Sequence, residues 1–187
     1  MSLALGDASD AELVALARGG AQAAYRALTE RYRDGVYRLA RGATGDAEEA
    51  FDVTQEAFIA AFGALAAYDP ARPFRVWIAR IALNKARDAM RRRAVRRLFS
   101  FAMPEAAIET VDMASAVDVA LADRQELARA SVAIAGLPAR LKEVLLLRTI
   151  EGMSQAETAA ALGISDKAVE TRLYRARKTL SVALAPN

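Results

Sequence analysis

The chain has 187 residues, 54% of them hydrophobic, so it can form one domain or two small ones with packed cores. It contains no Cys and no His, which excludes disulfides, thiolate or imidazole catalysis and nearly all zinc or haem ligation. The carboxylates, hydroxyls and lysines form no catalytic pattern, so we expect neither an enzyme nor a bound metal or cofactor. The sequence has neither a membrane-spanning run nor a secretory signal, which favours a cytoplasmic protein without membrane insertion.

The formal net charge is only +3, but the charges are unevenly distributed along the chain. A basic cluster contains Arg87, Arg91, Arg92, Arg93, Arg96 and Arg97, and the next basic residue is Arg124. The acidic residues between them are Glu105, Glu109, Asp112, Asp118 and Asp123. This order predicts a basic region, an acidic linker and a second basic region.

Two helices are predicted at the start of the chain. Ser9 and Glu12 form a capping box for the first helix, because a Ser or Thr followed three residues later by Glu satisfies two free backbone donors. Gly19-Gly20 separates it from the second helix, which carries apolar residues at helical spacing. A loop is predicted from Gly42 to Gly45.

Two further helices follow that loop. Asp46 caps the third, which ends at Tyr68-Asp69-Pro70, and Pro73 opens a long fourth helix from Phe74 to about Arg97. Phe51, Phe58 and Phe62 of the third helix are expected in the core. No segment shows sustained alternation with β-branched residues, so the fold class is predicted to be all-α.

The pattern loses its helical period from Leu98 to about Ala122, which indicates a linker. A second domain begins near Asp123. Its first helix carries Leu127, Ser131, Ile134 and Leu137 at helical spacing. Pro138 is placed in the first turn of the next helix, whose buried side is formed by Val144, Leu145 and Leu147.

A helix-turn-helix motif is predicted after Gly152. Ser154 and Glu157 form a capping box, Gly163 permits the sharp turn, and Ser165 caps the second helix. On that helix the apolar stripe is Val169, Leu173, Ala176 and Leu180, and the opposite face carries Lys167, Thr171, Tyr174, Arg175 and Lys178. Such a face suits the major groove of DNA. The alternative is a solvated charged face, but the small residues Ala159 and Ala160 before the turn favour DNA binding.

Two blocks of sequence resemble a known family. Residues 46–58, Tyr68-Asp69-Pro70 and residues 74–88 with Arg91-Arg92-Arg93 resemble region 2 of bacterial sigma factors, and residues 137–180 resemble region 4. Nothing the size of a region 3 domain lies between them. The chain therefore resembles the small extracytoplasmic-function (ECF) sigma factors.

The resemblance implies two small helical domains joined by a flexible linker. Region 2 is placed at 8–98, the acidic linker at 99–122 and region 4 at 123–187. The implied function is that of an alternative sigma factor, which binds the β-prime and β subunits of core RNA polymerase, directs it to promoter DNA and helps to open the minus-ten element. An anti-sigma partner is also implied, and no functional homo-oligomer is expected. The alternative is a non-sigma helix-turn-helix regulator that binds duplex DNA.

The resemblance assigns core-polymerase binding to Asp52, Gln55, Glu56 and Ile59. Carboxylates beside exposed apolar groups suit a basic helical partner, whereas the alternative is that the acids are merely solvated. Minus-ten contacts are assigned to Asp69, Arg72, Arg75, Arg80, Asn84, Arg87 and Arg91. The loop from Ala67 to Pro73 is the expected place for a flipped base. Trp77 could act as a stacking wedge, but its place between Phe74 and Ile81 on the helical wheel favours the core.

The resemblance assigns minus-thirty-five contacts to Lys167, Glu170, Thr171, Arg172, Tyr174, Arg175, Arg177 and Lys178. Glu170 departs from the family, since many members carry Lys or Arg there, and a carboxylate could accept a hydrogen bond from cytosine instead. Pro73 beside Phe74 is a second departure, because a small pair is frequent at that point. The acidic linker either mimics RNA in the exit path of polymerase or is a solvated tether.

Overall fold

The computed structural model describes residues 5–100 and 129–185, and every regular element within those ranges is helical. The first range contains α1 (Asp10–Arg18), α2 (Gln22–Thr44), α3 (Ala47–Gly63), a 3-10 turn (Leu65–Ala67) and α4 (Phe74–Ser100). The second begins with helical residues 129–135 and continues through α5 (Ala139–Thr149), α6 (Gln155–Leu162) and α7 (Asp166–Ala183). None of the helices in these ranges combines the length and apolar character needed to cross a bilayer.

Helix α1 begins and ends through specific polar contacts. The Ser9 backbone N–H donates to Glu12 Oε2 over 2.8 Å, and the Glu12 N–H donates to Ser9 Oγ over 3.3 Å, so the predicted capping box is present. At the other end the Arg18 guanidinium donates to the carbonyl oxygens of Leu65 and Tyr68. These bonds attach α1 to the segment that follows α3.

Helix α2 continues to Thr44, so the predicted loop over Gly42 to Gly45 is wrong for its first three residues. Gly45 alone ends the helix: its φ of 77° is left-handed, and its N–H donates to the carbonyl of Arg41. One left-handed residue is enough to close a helix, so no longer loop is needed. Asp46 then caps α3 by accepting from the Glu49 N–H at 2.9 Å, as predicted.

The four helices of the first half enclose one apolar core. Phe74 is fully buried, and Phe58 is 7% exposed. Trp77 packs against this core with its ring centroid 5.0 Å from that of Tyr68, which confirms its predicted core position. The prediction for Phe51 was wrong, because its side chain is 57% exposed. Phe51 lies on the face of α3 that is turned away from α2 and α4, so the bundle has no place to bury it.

Helix α4 extends to Ser100, three residues past its predicted end. Residues 101–128 lie outside the described ranges. They include most of the predicted acidic linker, the predicted start of the second domain and Leu127. Pro138 precedes α5 as its N-cap rather than occupying its first turn. Its φ of −52° suits either position.

Helix α5 is buried on several sides. Leu137 and Leu145 pack with Ala176 of α7, while Val144 packs with Ala159 and Val169. Leu146 and Leu147, in contrast, belong to the same apolar cluster as the core of the first half. The two halves of the chain therefore pack directly against each other, which the sequence did not predict.

The helix-turn-helix motif has the predicted local structure. Ser154 and Glu157 form the capping box, Gly163 turns the chain with a φ of 65°, and Ser165 caps α7. Val169 and Ala176 are buried on the predicted stripe. The opposite face of α7 is largely exposed.

Candidate polymerase and nucleic-acid interfaces

Helix α3 presents an exposed surface that combines apolar and acidic side chains. Ile59 is 72% exposed, and Asp52 and Gln55 are exposed beside it. Phe51 lies on the same surface, and we add it to the candidate polymerase-binding residues predicted from the sequence. Its spacing of four residues from Gln55, and of eight from Ile59, is the signal that could have identified it.

Glu56, the fourth predicted polymerase-binding residue, is engaged within the chain. Its carboxylate lies 3.6 Å from Lys85 Nζ and 3.3 Å from Arg92 Nη2, both on α4. Half-exposed pairs of this kind contribute about 1 kcal/mol or less to stability. The structure therefore brings Asp52, Gln55 and Ile59 together on the free surface and directs Glu56 towards α4.

The segment between α3 and α4 is held by its own hydrogen bonds. Asp69 Oδ1 accepts from the Ala71 N–H at 3.0 Å, and the Arg72 guanidinium lies 3.6 Å from Asp69 Oδ2. The Tyr68 hydroxyl donates to the carbonyl of Arg72, and burial raises the pKa of this phenol. Asp69 and Arg72 remain exposed, so this turn presents polar groups on a fixed backbone, with Pro73 accommodated in it.

The residues assigned to minus-ten contacts on α4 differ in how exposed they are to a ligand. Arg80, Asn84 and Arg91 are exposed along one side of the helix. Arg87 is half-buried: it donates to Asn84 Oδ1 at 2.9 Å and to both carboxylate oxygens of Glu143 at 2.6 and 2.7 Å. The bond to Glu143 raises the pKa of Arg87, which keeps its charge.

Arg75, at the start of α4, also binds a carboxylate of the second half. Its Nε donates to Glu157 Oε1 at 2.9 Å, and its Nη2 donates to the same oxygen. The hydrogen bond from Arg75, together with those from Ser154, lowers the pKa of Glu157 from 4.5 to about 2. Glu157 therefore caps α6 and joins the two halves at once.

No pattern in the sequence predicts the interface partners Glu143 and Glu157. Glu143 is separated from Arg87 by 56 residues, and Glu157 from Arg75 by 82. No local pattern specifies a contact over such distances. The same holds for Glu151, whose carboxylate lies 3.7 Å from the Arg38 guanidinium of α2 and whose pKa is raised by burial.

The exposed face of α7 carries aromatic, acidic and basic groups. Tyr174 is 67% exposed, and Arg175, Arg177 and Lys178 are exposed near it. Lys167 Nζ donates to Glu170 Oε2 at 2.8 Å, so the negative charge of Glu170 has a partner on its own helix. Thr171 and Arg172 are half-buried, and the Thr171 hydroxyl donates to the Lys167 carbonyl.

Comparison with known families matches both halves of the chain. The family model for Sigma-70 region 2 matches residues 28–96, and that for Sigma-70 region 4 matches residues 127–180. The chain is 40% identical over 183 residues to the RNA polymerase sigma factor CnrH of Cupriavidus metallidurans, covering 94% of each chain. It is 36% identical over 178 residues to the sigma factor NccH of Alcaligenes xylosoxydans xylosoxydans, again covering 94% of each.

Solved structures agree with these relationships. The fold is similar to that of CnrH in complex with the cytosolic domain of CnrY, with a TM-score of 0.70, 37% identity and coverage of 94% of this chain and 96% of that one. The ECF RNA polymerase sigma factor SigW of Bacillus subtilis is a further relative, 30% identical over 179 residues, with 86% of this chain and 89% of SigW covered. The two matched regions and the near full-length relatives show that the chain belongs to the extracytoplasmic-function family of RNA polymerase sigma factors.

Proposed function

We propose that this sigma factor binds core RNA polymerase through α3 and contacts the two promoter elements with α4 and α7. The observation that carries the proposal is the exposed face of α7, which presents Tyr174 and a group of cations on the second helix of a helix-turn-helix. A helix in that position reads base edges in the major groove. In this division, region 2 is residues 8–98, the acidic linker is 99–122 and region 4 is 123–187.

The surface of α3 suits a helical partner on the polymerase. Ile59 and Phe51 provide apolar area that is exposed in the free chain, and Asp52 adds a carboxylate beside them. An apolar strip flanked by acids complements a helix with apolar and basic groups, as expected of the β-prime coiled coil. Gln55 completes the contact surface, while Glu56 supports it through α4.

The turn at Asp69 to Arg72 and the ridge of α4 are the proposed minus-ten surface. The fixed turn offers polar groups for an unpaired base, and Asn84 offers an amide for its edge. The proposed phosphate contacts are Arg75, Arg80, Arg87 and Arg91. Arg75 and Arg87 must first leave their carboxylate partners.

The proposed minus-thirty-five surface lies on α7. Glu170, Thr171, Tyr174 and Arg175 are placed at base edges, and Lys167, Arg172, Arg177 and Lys178 at or near phosphates. Because Glu170 is a carboxylate paired with Lys167, the preferred element is expected to differ from that of relatives with a cation at this position.

We further propose that an anti-sigma protein controls this factor in the bacterial cytoplasm. CnrH, the relative with 37% identity in its solved structure, is seen in complex with the cytosolic domain of CnrY. With no Cys and no His in this chain, sensing of metal or redox state would reside in the partner.

Transcription with core polymerase reconstituted with this chain tests the proposal. We expect transcripts to begin downstream of a two-part, non-palindromic site, and sequencing of their starts gives that site. A dimeric non-sigma regulator would instead bind a palindromic duplex without polymerase. Absence of both polymerase binding and specific starts would refute the sigma assignment of these surfaces.

A further inference from the structure

Two ion pairs join α4 to the second half of the chain. Arg87 makes a two-point contact with Glu143 of α5 at 2.6 and 2.7 Å, and the Glu143 side chain is only 7% exposed. Arg75 makes the second pair, with Glu157 of α6. Carboxylates bind guanidinium groups with the same forked geometry that phosphates use.

Both arginines belong to the proposed minus-ten surface. While Arg87 binds Glu143 it also donates to Asn84 Oδ1, so its donors on that side are occupied and Asn84 is held by the same network. A phosphate that approached Arg75 or Arg87 would have to displace a carboxylate. On the proposed function, phosphates of the minus-ten strand would take the place of these two carboxylates.

We propose that Glu143 and Glu157 form an intramolecular binding surface that competes with the minus-ten strand for Arg87 and Arg75. The packed chain and the chain bound to minus-ten DNA then exclude each other. The proposal rests on the proposed function only in naming the competing strand, because the ion pairs themselves belong to the chain alone.

Apolar packing supports the closed arrangement. Leu146 is 1% exposed and packs on α2 at Gly42, where a Cβ would come within 3.4 Å of Leu146 Cγ. Leu147 and Met153 of the second half lie in the same apolar cluster as the core of the first. Separation of the two halves exposes these apolar side chains to water, which costs free energy. Binding of DNA and polymerase must therefore offset this cost.

The first test neutralises the buried carboxylate. Glu143→Gln keeps the shape of the side chain but removes its charge, so the charge-assisted bonds to Arg87 are lost and only one neutral acceptor remains. The matched control is Glu48→Gln, which makes the same charge change on the exposed first turn of α3. The probe is a labelled single-stranded oligonucleotide of mixed sequence, followed by fluorescence anisotropy.

We expect Glu143→Gln to bind this probe about tenfold more tightly than wild type, the size of one charge-assisted hydrogen bond. Glu48→Gln should gain only the small factor due to net charge. Equal affinities of the two variants would overturn the proposal. Circular dichroism of both variants establishes that each is folded.

The second test closes the interface covalently. Because the chain has no Cys, Gly42→Cys with Leu146→Cys introduces the only two thiols, at positions whose side chains approach within the reach of a disulfide. Oxidation should lower affinity for the probe at least tenfold, and reductant should restore it. Each single variant is the control for the effect of its own substitution.

The outcomes separate this proposal from the proposed function. Failure of the two thiols to cross-link, or equal probe affinity before and after oxidation, would overturn the competition. In a different outcome, the disulfide prevents probe binding, but the reduced protein does not bind core polymerase. This result would support the competition and refute the sigma assignment of the surfaces.

Discussion

Substituting Gly42 by Ala measures the packing of the two halves. A Cβ at this position would lie 2.5 Å from Leu146 Cδ2 and 3.1 Å from Cδ1. Leu146 is 1% exposed, so its side chain has little room to move away. Overpacking of this kind costs about 1–3 kcal/mol. The higher helix propensity of Ala relative to Gly offsets about 1 kcal/mol of this cost.

We therefore expect Gly42→Ala to lower the free energy of unfolding by up to about 2 kcal/mol. Gly63→Ala is the matched control, because Gly63 also lies in a helix but a Cβ there would meet nothing within 4 Å. This control should stabilise the protein by up to about 1 kcal/mol. Denaturant unfolding followed by circular dichroism measures both changes.

A double-mutant cycle isolates the contact. In a Leu146→Ala background the clash is absent, so Gly42→Ala should become neutral or stabilising. The coupling free energy is expected to be about 0.5–3 kcal/mol. If Gly42→Ala stabilises the wild-type chain as much as Gly63→Ala does, and the coupling free energy is zero, then α5 does not pack on α2 in solution.

Further substitutions address the separate surfaces. Ile59→Ala should weaken binding to core polymerase with little loss of stability, because the side chain is 72% exposed; Val182→Ala, with 73% exposure, is the control. Asn84→Ala should impair initiation on duplex promoters more than on premelted templates, measured by transcript yield. Glu170→Ala should cost about 1–3 kcal/mol on the preferred minus-thirty-five element and less on an element altered at the contacted pair, measured by selection from a randomised library. The folded pKa of Glu157, about 2, lies below its ordinary value of 4.5, so its stabilising contribution is complete above that value and is lost as pH falls towards 2. Glu157→Gln should therefore reduce the loss of stability over that pH range, measured by denaturant unfolding.

Four results would contradict these predictions, one for each substitution. Unchanged polymerase affinity of Ile59→Ala would move the docking surface away from α3. A uniform, salt-dependent defect of Asn84→Ala on all sequences would indicate phosphate contact instead of base contact. Identical preferred motifs for Glu170→Ala and wild type would exclude base reading by Glu170. An unaltered acid dependence in Glu157→Gln would show that Arg75 does not bind this carboxylate in solution.

The sequence determined the local elements. The capping boxes at Ser9 and Ser154, the Asp46 cap and the turn at Gly163 are all present, because each depends on residues only a few positions apart. The buried stripe of α7 followed from helical spacing for the same reason. The two family regions could also be identified, since their motifs lie within continuous segments.

Only the tertiary structure decided which faces meet. Phe is a residue type that usually lies in the core, yet the arrangement of α2, α3 and α4 leaves Phe51 exposed. Gly is a residue type that is typical of loops, yet Gly42 lies within α2 and packs against Leu146. The pairing of Arg87 with Glu143 joins residues far apart in sequence, and Coulomb attraction alone does not select one carboxylate among many. That selection depends on how whole helices pack, because packing fixes which charges lie within bonding distance once the apolar surfaces are buried.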